Sequence, residues 1–255
     1  MRTISLNKRD IHKGNLVLIN KRYPFLGNEE GHRIKLVPAS PLSPQILLEI
    51  KTATVLSHLI GLLRGQESIL PVSGYRSYEE QSKIYVDSLF KHGKEFTEQY
   101  VALPNHSEHQ TGYAIDLTIN REEIDAIRPE FPYEGICDLF REKATLHGFV
   151  ERYRKGKEKV TGIAHEPWHF RYVGYPHSLL MEMYGLVLEE YVEFLKEYPY
   201  KGDHLITELN QQTIEIFYIE ANSTSNFTTI ELPEDSIYQL SGNNMDGFIV
   251  TLWRH

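Results

Sequence analysis

Ser107-Glu-His-Gln-Thr-Gly-Tyr-Ala-Ile-Asp116 is the stretch on which the reading of this chain turns. It offers an imidazole at His109 and, seven residues on, a carboxylate at Asp116. Residues 113–118 carry Ala114 and Asp116 on one face and Ile115 and Leu117 on the other, the period-two pattern of a strand. A second segment, Glu166-Pro-Trp-His169, supplies a further carboxylate and a further imidazole. A catalytic zinc takes three protein ligands from His, Asp, Glu and Cys and leaves a fourth position for water. His109, Asp116 and His169 are the candidate ligands, and Glu166 is the candidate general base beside them.

His165-Glu-Pro-Trp-His169 matches the H-E-x-x-H pattern of helical zinc proteases literally. That pattern needs a helix, because only there do residues four apart share a face. Pro167 sits inside it, where a helix would lose a hydrogen bond and suffer a clash costing about 3 kcal/mol. The flanks are β-branched and aromatic, so a strand or bulged turn is expected, and His165 is set aside as a ligand.

Outward from these segments, residues 69–75 predict a strand running into Gly74-Tyr-Arg-Ser77. Ser77 and Glu80 form a capping box for a helix to about Lys91, with Gly93 as terminator. Arg76 therefore stands at a strand-to-helix junction, from which a guanidinium can reach a cleft and pair with an oxyanion; the plain alternative is a surface arginine. Further strands are expected at 16–19, 34–37, 149–153, 160–164 and 168–173. Helices are expected from Ser43 through Leu63, at 134–147 and at 178–198, with Pro24, Gly27 and Gly31 breaking regularity near the start. Residues 120–132 read as a loop leaving the Asp116 strand. Beyond a linker at 198–203 the composition turns β-rich.

The fold class expected is α+β: a central antiparallel sheet carrying the metal site, flanking helices, and a β-rich C-terminal appendage. The division is a catalytic domain at 1–198 and an appendage at 199–255 packed on it. The net charge of −8 argues against nucleic acid as a partner. Cys137 is the only cysteine, so no internal disulfide forms. No run is long enough to span a bilayer, and residues 1–13 lack the apolar run of a leader, so a cytoplasmic protein is expected.

Three motifs occur in one order: Ser-Gly-Tyr-Arg-Ser at residues 73–77, Ser-x-His-x-x-Gly-x-Ala-x-Asp at 107–116 and Glu-x-Trp-His at 166–169. In this combination the chain resembles the zinc D,D-peptidases of the VanY and VanX group, and among them the bifunctional VanXY enzymes most. The resemblance implies Zn2+ held by His109, Asp116 and His169, Glu166 as catalytic base and Arg76 as transition-state stabiliser. It places Ser107 and Gln81 where the family contacts substrate. The implied reaction is hydrolysis of D-Ala-D-Ala and removal of the terminal D-Ala from peptidoglycan precursor peptides, which depletes the vancomycin target. The 120–132 loop is expected to set the balance between these activities. Two rivals share features of the sequence: an L-alanyl-D-glutamate endopeptidase of endolysin type, and a non-catalytic zinc-dependent peptide-binding protein.

Overall fold

The computed structural model describes residues 1–26, 34–125 and 127–254. Gly27 and Gly31, expected to break regularity, lie outside the described residues. The backbone divides into two compact units, one of Ile19–Val187 and one of Met1–Leu18 with Leu188–His255. This division does not coincide with a boundary at 198/199. The reason is pairing between distant segments: strand β1 (Arg2–Asn7), at the chain's start, belongs with the C-terminal strands.

The larger unit opens with a hairpin of β2 (Leu36–Ser40) and β3 (Ser43–Glu49), followed by α1 (Ile50–Leu62). The helix expected to start at Ser43 therefore begins seven residues later. Ile46 and Leu47 suit either period, but pairing with β2 holds 43–49 extended. Glu49 is the cap, its side chain accepting from the Thr52 amide at 3.0 Å. Next come β4 (Ile69–Ser73) and α2 (Tyr78–Tyr100). The capping box of α2 forms as expected, with Glu80 N–H to Ser77 Oγ at 3.1 Å and Ser77 N–H to Glu80 Oε2 at 2.7 Å. Gly93, at φ 81° and ψ 175°, leaves the helical conformation and divides this span into two helical stretches across a kink, so the first stops there as expected.

Then follow β5 (Ala114–Ile119), α3 (Gly135–Ala144), β6 (Phe149–Tyr153), the single turn α4 (Glu158–Thr161), β7 (Glu166–Tyr172) and α5 (His177–Tyr184). A strand expected at 160–164 is instead this turn and its exit. The helix expected at 178–198 is two helices, because Gly185 ends α5 in the left-handed conformation.

Strands β4, β5, β7 and β6 form an antiparallel sheet in that order. One face packs a core of Leu48, Leu56, Leu59, Ile115, Leu117 and Phe170 with α1 and α3. Phe131, Phe140 and Phe170 meet edge to face at 5.0–5.7 Å between centroids. Each fully buried side chain of this kind contributes on the order of 1.5–3 kcal/mol, which makes this sheet a rigid platform.

In the smaller unit, β1 pairs with β10 (Phe227–Leu232). A four-stranded antiparallel sheet runs β11 (Ile237–Gly242), β12 (Gly247–Arg254), β9 (Gln212–Glu220), β8 (Leu205–Leu209). Helix α6 (Leu188–Leu195) belongs to the same unit. Residues 16–18, expected as part of a strand, are buried without forming one. The Leu18 amide donates to the Asn243 carbonyl at 3.2 Å. No helix among the described residues is long and apolar enough to cross a membrane.

Candidate metal centre and active site

The expected ligands arrive from two adjacent strands and one turn. Asp116 on β5 and His169 on β7 are direct ladder partners. His109 sits in a 3-10 turn, Glu108–Thr111, that ends at Gly112 with φ 71° before the chain enters β5. The turn is anchored from β3, where the Glu49 amide donates to the Gly112 carbonyl at 3.0 Å. Nearby, the Tyr75 amide donates to the Leu47 carbonyl at 2.6 Å. A Cβ at Gly74 would lie 2.3 Å from that same oxygen, so only glycine fits between β4 and Arg76. Strand β3 of the β2–β3 hairpin thus holds both loops of the site.

Ligand atoms of His109, Asp116 and His169 all lie within 4.8 Å of one another, and all three residues are buried. His109 Nδ1 lies 2.6 Å from the Gly74 carbonyl, so it carries the proton and leaves Nε2 free, 3.2 Å from Asp116 Oδ2. His169 presents Nδ1 to Asp116 Oδ1 at 2.8 Å, while its Nε2 faces Glu108 Oε2 at 3.5 Å. Two imidazole nitrogens and a carboxylate, converging in a buried pocket with their far sides held by other groups, fit a divalent metal of the zinc class.

Despite its burial, Asp116 is held well below the usual carboxylate range by His109 and His169. Burial and the Arg76 charge push His109 down to about 4. Against the lowering effect of burial, the hydrogen bonds to Asp116 and Glu108 hold His169 up at about 9.

Glu166 begins β7, lies on the same cavity, and is pushed up to about 8 by burial. The cavity holds about 330 Å³ and is lined by Arg76, Ser107, His109, Asp116, Glu166 and His169 among others. Arg76 is fixed at three nitrogens: Nε to Ser73 Oγ at 2.8 Å, Nη1 to Gln81 Oε1 at 3.3 Å and Nη2 to Asp116 Oδ2 at 3.0 Å. Ser107 precedes the turn without capping it, so its hydroxyl is available to the cavity. Gln81 does not line the cavity. It is fully buried, its amide N–H donating to the Ala102 carbonyl at 2.7 Å and its oxygen accepting from Arg76. His165 lies apart from the metal cluster, against Tyr133 and Glu151.

Sequence reasoning missed Glu108. It is completely buried, paired with Arg152 at 2.8 Å and Arg171 at 3.3 Å, and faces the outer nitrogen of His169. Despite that burial, the two guanidiniums hold it well below the usual carboxylate range. Its position inside the Ser107–Asp116 motif was visible, but its partners lie 44 and 63 residues away on β6 and β7.

Residues 45–175 match the family model described as VanY: D-alanyl-D-alanine carboxypeptidase. The matched span contains every residue of the site. The chain belongs to the VanY family. It is 39% identical over 183 residues to the bifunctional D-Ala-D-Ala dipeptidase and carboxypeptidase VanXYC of Enterococcus gallinarum, covering 71% of this chain and 95% of that one. Among solved structures, the vancomycin resistance D,D-dipeptidase VanXYg, in complex with a D-Ala-D-Ala phosphinate analogue, is 52% identical with a TM-score of 0.94, covering 99% of both chains. A mutant of the D,D-pentapeptidase VanY from a VanB-type resistance cassette, in complex with Zn(II), is 26% identical with a TM-score of 0.57, covering 70% of this chain and 98% of that one. The chain is thus a peptidase of the VanY family with an α+β fold shared along its whole length with VanXYg.

Proposed function

We propose that this enzyme hydrolyses D-Ala-D-Ala and also releases the terminal D-Ala from peptidoglycan precursor pentapeptides, with zinc as its metal and the cytoplasmic precursor pool as its substrate. Such an activity withdraws the vancomycin target. The observation that carries the reading is the convergence of His109, Asp116, His169, Glu166 and Arg76 on one cavity. The activities named for VanXYC and VanXYg support the choice of substrate.

His109 Nε2, Asp116 and His169 Nδ1 are the proposed ligand groups. When bound, zinc lowers the pKa of water from about 15.7 to near 7 and polarises a carbonyl. Glu166 takes a proton from the attacking water and delivers it to the departing D-alanine amine. Burial raises the Glu166 carboxyl from the ordinary carboxylate range toward neutrality, where one group can both accept and return a proton. Arg76, locked in place by Ser73, Gln81 and Asp116, offers its charge to the oxyanion that forms on the attacked carbonyl. Ser107 contacts substrate through its free hydroxyl. Gln81 serves substrate binding indirectly, by holding Arg76.

The test is D-Ala release from the dipeptide and from a precursor pentapeptide, each with and without a chelator. Release from both substrates that is abolished by chelation and restored by zinc is expected. Chelator-insensitive release, or none from either substrate, would contradict the reading.

A further inference from the structure

Beside the catalytic cleft lies a second cluster of charged and aromatic side chains that the proposed chemistry does not use. Arg141 on α3 is its centre, with a side chain only 11% exposed. Its Nε donates to Glu151 Oε2 at 2.8 Å and its Nη1 to the Pro132 carbonyl at 2.6 Å. Its Nη2 donates to the carbonyls of Phe131 at 2.5 Å and Pro167 at 2.9 Å. The Tyr133 ring covers the guanidinium, 3.9 Å from centroid to carbon. One planar fork thus joins three segments, a geometry lysine cannot reproduce.

Each segment leads to the cavity. Phe131 and Pro132 end the 120–132 loop, whose Ile127 lines the cavity. Pro167 stands between Glu166 and Trp168, both cavity residues. The residue on the other side of Glu166 is held as well: His165 Nε2 lies 2.7 Å from the Tyr133 hydroxyl, with the rings 15° from parallel. That hydroxyl donates its one proton to Glu151 Oε1 at 2.5 Å, so its oxygen accepts from His165.

This bracing stands where the backbone ladder is interrupted. Glu151 pairs with Phe170, but Tyr153 pairs with Glu166, so residues 167–169 bulge from the β6–β7 ladder. Side chains replace the missing ladder contacts on that edge.

We propose that Arg141, assisted by Tyr133, is a positioning residue that fixes Glu166 by pinning the chain immediately before and after it. The inference rests on the reading of Glu166 as the catalytic base. The pinning itself can be measured without substrate.

In zinc-loaded Arg141→Lys, kcat for D-Ala release is expected to fall about tenfold to hundredfold while KM and zinc affinity stay within about twofold, the pattern of a misplaced catalytic group. Amide hydrogen exchange at Glu166 and Trp168 is expected to quicken about tenfold, with β5 as protected as in the wild type. Wild-type kcat and exchange, or a parallel loss of zinc affinity and of protection across the whole sheet, would overturn the proposal. Should Arg141→Lys fail to fold, Tyr133→Phe removes only the hydroxyl of a half-exposed ring, the group that meets Glu151 and His165, and a roughly threefold loss in kcat with the same local exchange is expected. Wild-type values for both would likewise overturn it. A wild-type enzyme that released no D-Ala would count against the substrate reading, and the exchange measurement would still decide the bracing.

Discussion

Asp116 and His169 are paired residues on the β5–β7 ladder, and their side chains meet with Asp116 Oδ1 2.8 Å from His169 Nδ1. One rung of one sheet therefore delivers two of the three candidate ligands. A slip of one residue in that pairing would turn either side chain to the opposite face. The geometry of the centre is thus tied to strand register, while His109 and Arg76 come from the segments between strands.

Arg76→Lys is expected to lower kcat by about 10²–10³-fold with little change in zinc content, because a single ammonium cannot replace the fork held by Ser73, Gln81 and Asp116. Steady-state kinetics beside metal analysis check this. A near-normal kcat would remove Arg76 from the transition state.

Gly112→Ala is expected to destabilise the fold by about 1–2 kcal/mol, since a left-handed conformation is costly for any residue with a Cβ. Here φ is 71°, and the added atom would lie 3.0 Å from the Glu49 amide nitrogen. Thermal unfolding reads the effect, and an unchanged Tm would show that the turn can rearrange.

Glu108 makes a prediction about acid stability. Its folded pKa is depressed, so its contribution is fully present above the ordinary value of 4.5 and is lost as the pH falls below it. Glu108→Gln leaves Arg152 and Arg171 facing a neutral amide and is expected to cost about 3–5 kcal/mol at pH 7. The variant's stability should also fall less steeply between pH 4.5 and 3. Denaturant unfolding across that range tests both statements, and parallel wild-type and variant profiles would contradict them.

The 120–132 loop is expected to set the ratio of dipeptidase to carboxypeptidase activity, because it leaves β5 just beyond Asp116 and brings Ile127 to the cavity. Shortening it while keeping Phe131 and Pro132 should shift the ratio of the two kcat/KM values. An unchanged ratio would sink the idea.

Much of the site was legible because its parts are local patterns. The alternation around Asp116, the capping box at Ser77 and the proline inside His165–His169 each constrain the backbone within a few residues. They sufficed to anticipate strand β5, the start of α2 and the extended form of β7. What escaped is decided by distant partners. Residues 43–49 are extended because β2 pairs with them, and β1 joins a unit whose other strands lie some two hundred residues on. Glu108 and Arg141 look like ordinary surface charges in the sequence, and only the fold brings their partners to them. Gly185 was a different kind of miss: a local terminator was present, but the apolar periodicity on both sides of it read as one helix.

The most direct test of the account is the Glu166→Ala protein loaded with zinc. We expect it to bind one zinc ion as tightly as the wild type while D-Ala release from D-Ala-D-Ala falls by about 10²–10⁴-fold, the range for losing a general acid–base. Full turnover in the zinc-loaded variant, or loss of the metal along with the activity, would contradict the separation of ligand and base roles among His109, Asp116, His169 and Glu166.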